Sequence, residues 1–171
     1  MRAVVAASCL LMGCLVTKKE FPQEPTCPPS IETATLADPN YPLGSVIKLD
    51  LSEEPTEDGG PGARDLTFNF QVRDCDEQQD LAMRLFSSVG SPDEIIRERI
   101  IKPGERNPYE ITLPRSTFTG VAGSCQKVEV YISTEFDGVR RPAEEGDLGT
   151  ATWWIAVTDT ANPGVEMRLC P

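Results

Sequence analysis

"LTFNFQVR", Leu66 to Arg73, is the stretch on which the fold turns. Leu66, Phe68, Phe70 and Val72 take one parity, and Thr67, Asn69, Gln71 and Arg73 the other. A period of 2 sends successive side chains to opposite faces of an extended chain, so this segment reads as a half-buried strand. "KVEVYIS" repeats the pattern, with Val128, Val130 and Ile132 inside. Further strands are expected at Ser30–Leu36, Ser45–Leu51, Leu81–Ser87, Ile95–Lys102, Tyr109–Leu113 and Ala151–Thr158, separated by clusters of Pro, Gly, Asn and Asp. "SPDEIIRERIIK" tempts a helical reading, with Ser91 or Asp93 as cap and Ile95, Ile96 and Ile100 on one face. It is short and stopped by Pro103-Gly104, and it stands among strands, so a strand is the reading adopted.

Seven or eight such strands predict an all-β fold, an antiparallel immunoglobulin-like sandwich. In its lettering Leu66–Arg73 is strand B, Leu81–Ser87 C, Ile95–Lys102 D, Tyr109–Leu113 E, Lys127–Glu135 F and Ala151–Thr158 G. The start of the chain and the B–C loop then share one end of the sandwich, and the E–F loop and the end of G share the other. A disulfide needs Cα atoms within about 7 Å, so Cys27 should pair with Cys75 and Cys125 with Cys170. If "NPGVEMRLC", Asn162 to Cys170, turns back to the other end, Cys27–Cys170 with Cys75–Cys125 is the alternative. There is no histidine and no C-x-x-C, so a zinc site would have to gather scattered thiolates.

Upstream of the strands, "AVVAASCLLM" follows Arg2 as an uncharged run. Its length suits the roughly 7–15 residues of a secretory signal core and falls short of the about 20 that span a bilayer. Lys18, Lys19 and Glu20 close it. Leu11-Met12-Gly13-Cys14 resembles the lipobox of bacterial lipoproteins, which implies that Cys14 carries a diacylglyceryl group and becomes the first residue of the mature chain. Two or more acyl chains anchor a protein stably, at about 0.8 kcal/mol per buried CH₂. The organisation expected is a signal peptide at 1–13, a lipidated cysteine and flexible tether at 14–26, and one domain at 27–171. "LVTKKEFPQEPT", Leu15 to Thr26, reaches at most about 40 Å at roughly 3.3 Å per residue.

Lys and Arg total 16 against 27 Asp and Glu, a net charge of −11 that becomes −12 on removal of Arg2. Binding a polyanion draws on clustered cations, so nucleic acid is not an expected partner. The absence of histidine excludes Ser-His-Asp and Cys-His chemistry. "SVIK", Ser45 to Lys48, matches the S-x-x-K of penicillin-recognising enzymes in letters, but a spacing of three on a strand puts its ends on opposite faces. A carboxylate pair of glycosidase type is expected by chance among so many acids. No enzyme and no cofactor is therefore predicted.

"VRDCDEQQD" resembles the V-x-D-x-D element between strands B and C of cadherin-like domains, which implies Asp74 and Asp76 as calcium ligands. "VTDTANPG" resembles the segment leaving the last cadherin strand, through Asp159 and Asn162. Those two sites belong to opposite ends of a domain, and calcium needs six to eight oxygens. Alternation in "ATWWIAVT" places Trp153, Ile155 and Val157 inside and turns Trp154 outward. Tyr131 on F and Phe86 on C, beside Arg84, point the same way. Strands C, F and G share one sheet, so these aromatics should form an outer patch of the kind that marks a contact site, unless the connection "DGVRRPAEEGDLG" or the C-terminal tail covers them. Arg140 and Arg141 lie in that connection.

The lipobox, "DCDEQQDLAMRLF", "CQKVEVYIS" and "ATWWIAVTD" together resemble small lipoproteins of myxobacteria and related bacteria, a likeness that implies an address and no activity. Leu15 after the lipid-bearing cysteine implies the outer membrane, by analogy with enteric bacteria. The expectation is an envelope-anchored, non-catalytic recognition or structural module. It would bind a protein or glycan through the C, F and G face and the Arg140–Asp147 loop. The alternative is a calcium-dependent adhesin or envelope enzyme using Asp74, Asp76 and nearby acids.

Overall fold

Alternation of apolar and polar residues becomes two facing sheets. The computed structural model describes residues 27–33, 43–44, 46–52, 65–89, 91, 94–161 and 170. Its strands are β1 (Ser30–Thr33), β2 (Val46–Asp50), β3 (Leu66–Arg73), β4 (Leu81–Ser87), β5 (Ile95–Ile101), β6 (Tyr109–Leu113), β7 (Ser124–Ser133) and β8 (Gly149–Thr158). They form a three-stranded sheet in the order β1-β3-β6 and a five-stranded sheet in the order β2-β8-β7-β4-β5. The protein is an all-β sandwich. Cys14 with its lipobox, the 15–26 tether, Ser45 and Asn162 lie outside the described residues.

Burial follows parity. In β3, Leu66, Phe68, Phe70 and Val72 are buried, and Phe68 and Phe70 are wholly so. They meet the inner face of the larger sheet through Trp153, whose ring lies 4.8 Å from Phe68 and 5.9 Å from Phe70 between centroids, in tilted contacts. Val128, Val130, Ile132, Met83, Leu85 and Ile155 complete the interior. Gly149 opens β8 where a Cβ would collide with the Pro29 carbonyl oxygen, which lets the chain entering β1 cross close over the other sheet.

Two arrangements differ from the sequence expectation. β2 runs parallel to β8, with Ile47 beside Ile155 and Leu49 beside Val157, whereas the remaining strand pairs are antiparallel. Parallel neighbours require a long crossover, and here the whole chain between β2 and β8 supplies it. The second difference is a correction. The strand expected as D, at the edge of the smaller sheet beside β6, pairs instead with β4 and takes the place of C′ in a variable-type sandwich. The short connection at 88–94 explains this, because a brief link between adjacent strands favours a hairpin in the same sheet.

The cysteines pair as the topology requires. Cys27 and Cys75 are bonded with Cα atoms 5.8 Å apart, and Cys125 and Cys170 with Cα atoms 5.5 Å apart. Cys75 lies just ahead of the Leu81 end of β4, whereas Lys127, near Cys125, accepts a bond from Ser88 at the far end of β4. The two staples therefore close opposite ends of the sandwich.

Candidate functional site

Register across β4, β7 and β8 brings the outward aromatics into one band. Arg84 stands opposite Tyr131, Phe86 opposite Glu129, and Lys127 opposite Trp154. Phe86 and Tyr131 meet edge to face, with centroids 5.2 Å apart. The Lys127 ammonium lies 6.0 Å above the half-buried Trp154 ring, within cation–π reach.

This band is not open. Residues 134–148, between β7 and β8, fold back as a hairpin in which Asp137 N–H donates to Arg141 O (3.2 Å) and Ala143 N–H to Glu135 O (2.9 Å). Arg140 reaches down from the hairpin. Its guanidinium sits 4.0 Å above the Phe86 ring, and Nη1 donates to Glu129 Oε2 (2.9 Å) and Tyr131 OH (3.0 Å). Arg84 reaches up from the sheet: Nε donates to Glu98 (2.7 Å), Nη1 donates to the Gly138 and Val139 carbonyls, and its guanidinium lies 4.5 Å from the Phe136 centroid. Two arginines thus clasp hairpin to sheet from opposite sides. As a result Phe86 is only 1 % exposed: of the two alternatives left by the sequence, an open patch or cover by the connection, cover holds at Phe86, which is not an accessible contact residue. Cation–π contact and charge-assisted bonds to Glu129 drive the cover, because a guanidinium is weakly hydrated and stacks readily on an aromatic face.

Asp147 fixes the hairpin's base. This buried carboxylate accepts from the Thr134 N–H (2.8 Å) and hydroxyl (2.5 Å), and Ser133 Oγ lies 2.9 Å from the same oxygen. Replacement by alanine strands these donors in a closed site, at a cost of about 2 kcal/mol. Asp147→Ala should therefore lower the urea midpoint and speed amide exchange at 135–143, whereas Asp147→Asn, which keeps an acceptor, should do less. Arg141, by contrast, is exposed and pairs with Asp137 at 2.6 Å, an arrangement open to solvent. Asp137, Arg141, Pro142, Ala143, Glu145 and Gly146 line an open hollow of about 380 Å³ on the hairpin.

The clasp is sensitive to acid. Burial pushes the Glu129 carboxyl up, but hydrogen bonds from Arg140 and Lys127 outweigh it and hold the group below the usual carboxylate range. A value lower folded than unfolded means that these bonds contribute fully above pH 4.5, the ordinary value, and are lost as pH falls through the folded value. Titration from pH 7 to pH 2.5 should shift the Tyr131 and Arg140 side-chain resonances only below about pH 4.5. In Glu129→Gln that transition should vanish.

At the opposite end of β4 the acidic loop has a different organiser. Arg106, buried in the turn before β6, donates from Nη1 to Asp76 O (3.1 Å) and from Nη2 to Gln79 O. Its Nη2 stands 3.9 Å from Asp74 Oδ2, with both side chains under 10 % exposed. Asp76 turns its carboxylate to the Gln78 N–H (2.9 Å). A guanidinium therefore lies beside Asp74, where the cadherin likeness implies a metal ion. Among the described residues no group of three or more His, Cys, Asp or Glu side chains is placed to hold one.

No protein-family model matches the chain, and no curated protein matches it. Among the described residues no helix is long and apolar enough to cross a membrane. Of the residues singled out in the sequence, the fold gathers Phe86, Tyr131 and Arg140 into one cluster with Trp154 on its flank, and leaves Arg141 on the hairpin's rim. Arg84, Glu129 and Asp147, which make the cluster hold, carry no pattern of their own in the sequence. The alternation of Glu129 with Val128 and Val130 marks it as outward and nothing more.

Proposed function

We propose that this protein is a membrane-anchored bacterial envelope lipoprotein whose sandwich serves as a non-catalytic recognition module. The observation that carries the reading is the clasped hairpin, in which a loop is immobilised by buried Asp147 and two arginines on a rigid sheet. Binding residues concentrate on loops that a rigid scaffold positions, and an ordered loop spends little entropy on engaging a partner. The contact surface comprises Trp154 and Lys127 on the sheet, with Val139, Arg141 and the hollow on the hairpin. Val139 is 46 % exposed. Phe86 and Tyr131 act beneath it by seating Arg140. A protein or a glycan of the envelope is the partner class.

Two disulfides support an address outside the cytosol, where thiols are oxidised. Cys14 supplies the anchor, in the outer membrane if Leu15 directs sorting as it does in enteric bacteria. Cells fed an alkyne-bearing palmitate should label the wild-type chain, and Cys14→Ala should be unlabelled and released from the membrane fraction. A chain labelled equally with and without Cys14, or found in the cytosol with free thiols, overturns the proposal.

A further inference from the structure

The side of the sandwich bounded by β5 and β6 carries chemistry that the outer face does not use. Among the described residues β5 is an edge of the five-stranded sheet and β6 an edge of the three-stranded one. An edge strand leaves alternate backbone N–H and C=O groups free to pair with an added strand. Along β5, Arg97 stands opposite Leu85 and Arg99 opposite Met83, so both arginines take the inward parity of buried neighbours. Both lie near Tyr109 of β6: Arg99 hydrogen-bonds its side chain, and the Arg97 charge also acts on it. Among the described residues no carboxylate pairs with either. Glu98, between them, faces outward and is taken by Arg84 at 2.7 Å. Ile100, on the outward parity, is 52 % exposed. Two cations on one edge, with no carboxylate partner among the described residues, stand out in a chain of net charge −11.

A second copy is a poor occupant. Antiparallel self-pairing centred on Glu98 sets Arg97 against Arg99 twice, and pairing centred on Arg99 sets that residue against itself; like charges directly opposite are destabilising. The register shift between Leu85 and Phe86 also bulges the start of β5, a device that blunts edges. We propose that the Arg97–Ile101 edge accepts an extended acidic segment of another protein as an added strand, its alternate carboxylates against Arg97 and Arg99 and its apolar residues level with Glu98 and Ile100. Net repulsion between two acidic chains is screened beyond about 8 Å at physiological salt, so the local arginines govern contact.

The test is a titration of the isotope-labelled full chain with two synthetic heptapeptides, one alternating Glu with Val and the other Lys with Val. The Glu peptide should shift the amides of residues 97–101 and bind at least tenfold more tightly than the Lys peptide. Arg97→Glu/Arg99→Glu should invert the preference, and the milder Arg97→Gln/Arg99→Gln should abolish it, deciding the matter if the charge reversal fails to fold. Equal binding of both peptides, shifts confined to other strands, no binding at millimolar peptide, or β5 amides already protected by self-association would overturn the proposal. The outer-face reading concerns other residues, so each can fail alone.

Discussion

Trp153→Ala is expected to destabilise the domain by about 3–5 kcal/mol, the cost of emptying a large aromatic site in a core that relaxes only in part. Trp153 is wholly buried and touches both Phe68 and Phe70 across the sheets, so its removal opens a void on the two sides at once. For a domain of this length the midpoint of thermal unfolding should fall by roughly 10 °C. Trp153→Phe should cost less, because a smaller aromatic retains much of the contact. Fluorescence and circular dichroism melts of the three proteins measure the effect. A shift under 3 °C for the alanine variant would mean that the two sheets are not held together at this point.

Loss of the disulfides should weigh as heavily. The bridges join residues 48 and 45 positions apart in sequence. In the chain-entropy picture, closing loops of that size restricts the unfolded chain by about 4 kcal/mol each, and native bridges commonly deliver 2–4. Cys27→Ala/Cys75→Ala and Cys125→Ala/Cys170→Ala should each move the urea midpoint by a comparable amount. Because the staples close opposite ends of the sandwich, the quadruple variant should lose nearly the sum. Peptide mapping without reductant should recover Cys27 with Cys75 and Cys125 with Cys170. Recovery of Cys27 with Cys170 would contradict the strand order.

Strand positions and cysteine partners were readable from the sequence because both rest on strong constraints. A buried face forces period 2 over β3 and β7, and the 7 Å limit leaves few partners once the ends of the sandwich are assigned. Sheet membership was not readable for β5. The same seven residues alternate alike whether they border β4 or β6, and only the length of the preceding link favours one neighbour. The parallel β2–β8 pair is hidden for a similar reason, since alternation records which face is buried and not which way the neighbour runs.

Within the site, outward parity correctly grouped Phe86, Tyr131 and Trp154, but cover depends on a residue remote in sequence. Arg140 lies over Phe86 through a contact between different elements, and a solvated arginine in a polar loop has the same letters. Arg106 and Asp147 escape notice for the same reason. Each is a charged residue in a connection, buried by partners remote in sequence: backbone carbonyls for Arg106, and the Ser133 and Thr134 hydroxyls with one backbone N–H for Asp147.

Site-specific photo-crosslinking in the native envelope tests the central claim most directly. The claim is that the clasped hairpin and its flank form the recognition surface. With a crosslinking side chain at Val139 or Trp154, the account predicts one shared adduct mass from both positions, absent when the probe stands at Thr112 on the outer face of the other sheet. It also predicts loss of that adduct in Arg140→Ala, in which the clasp is released. Adducts of equal yield from Thr112, or an unchanged adduct without Arg140, would contradict it.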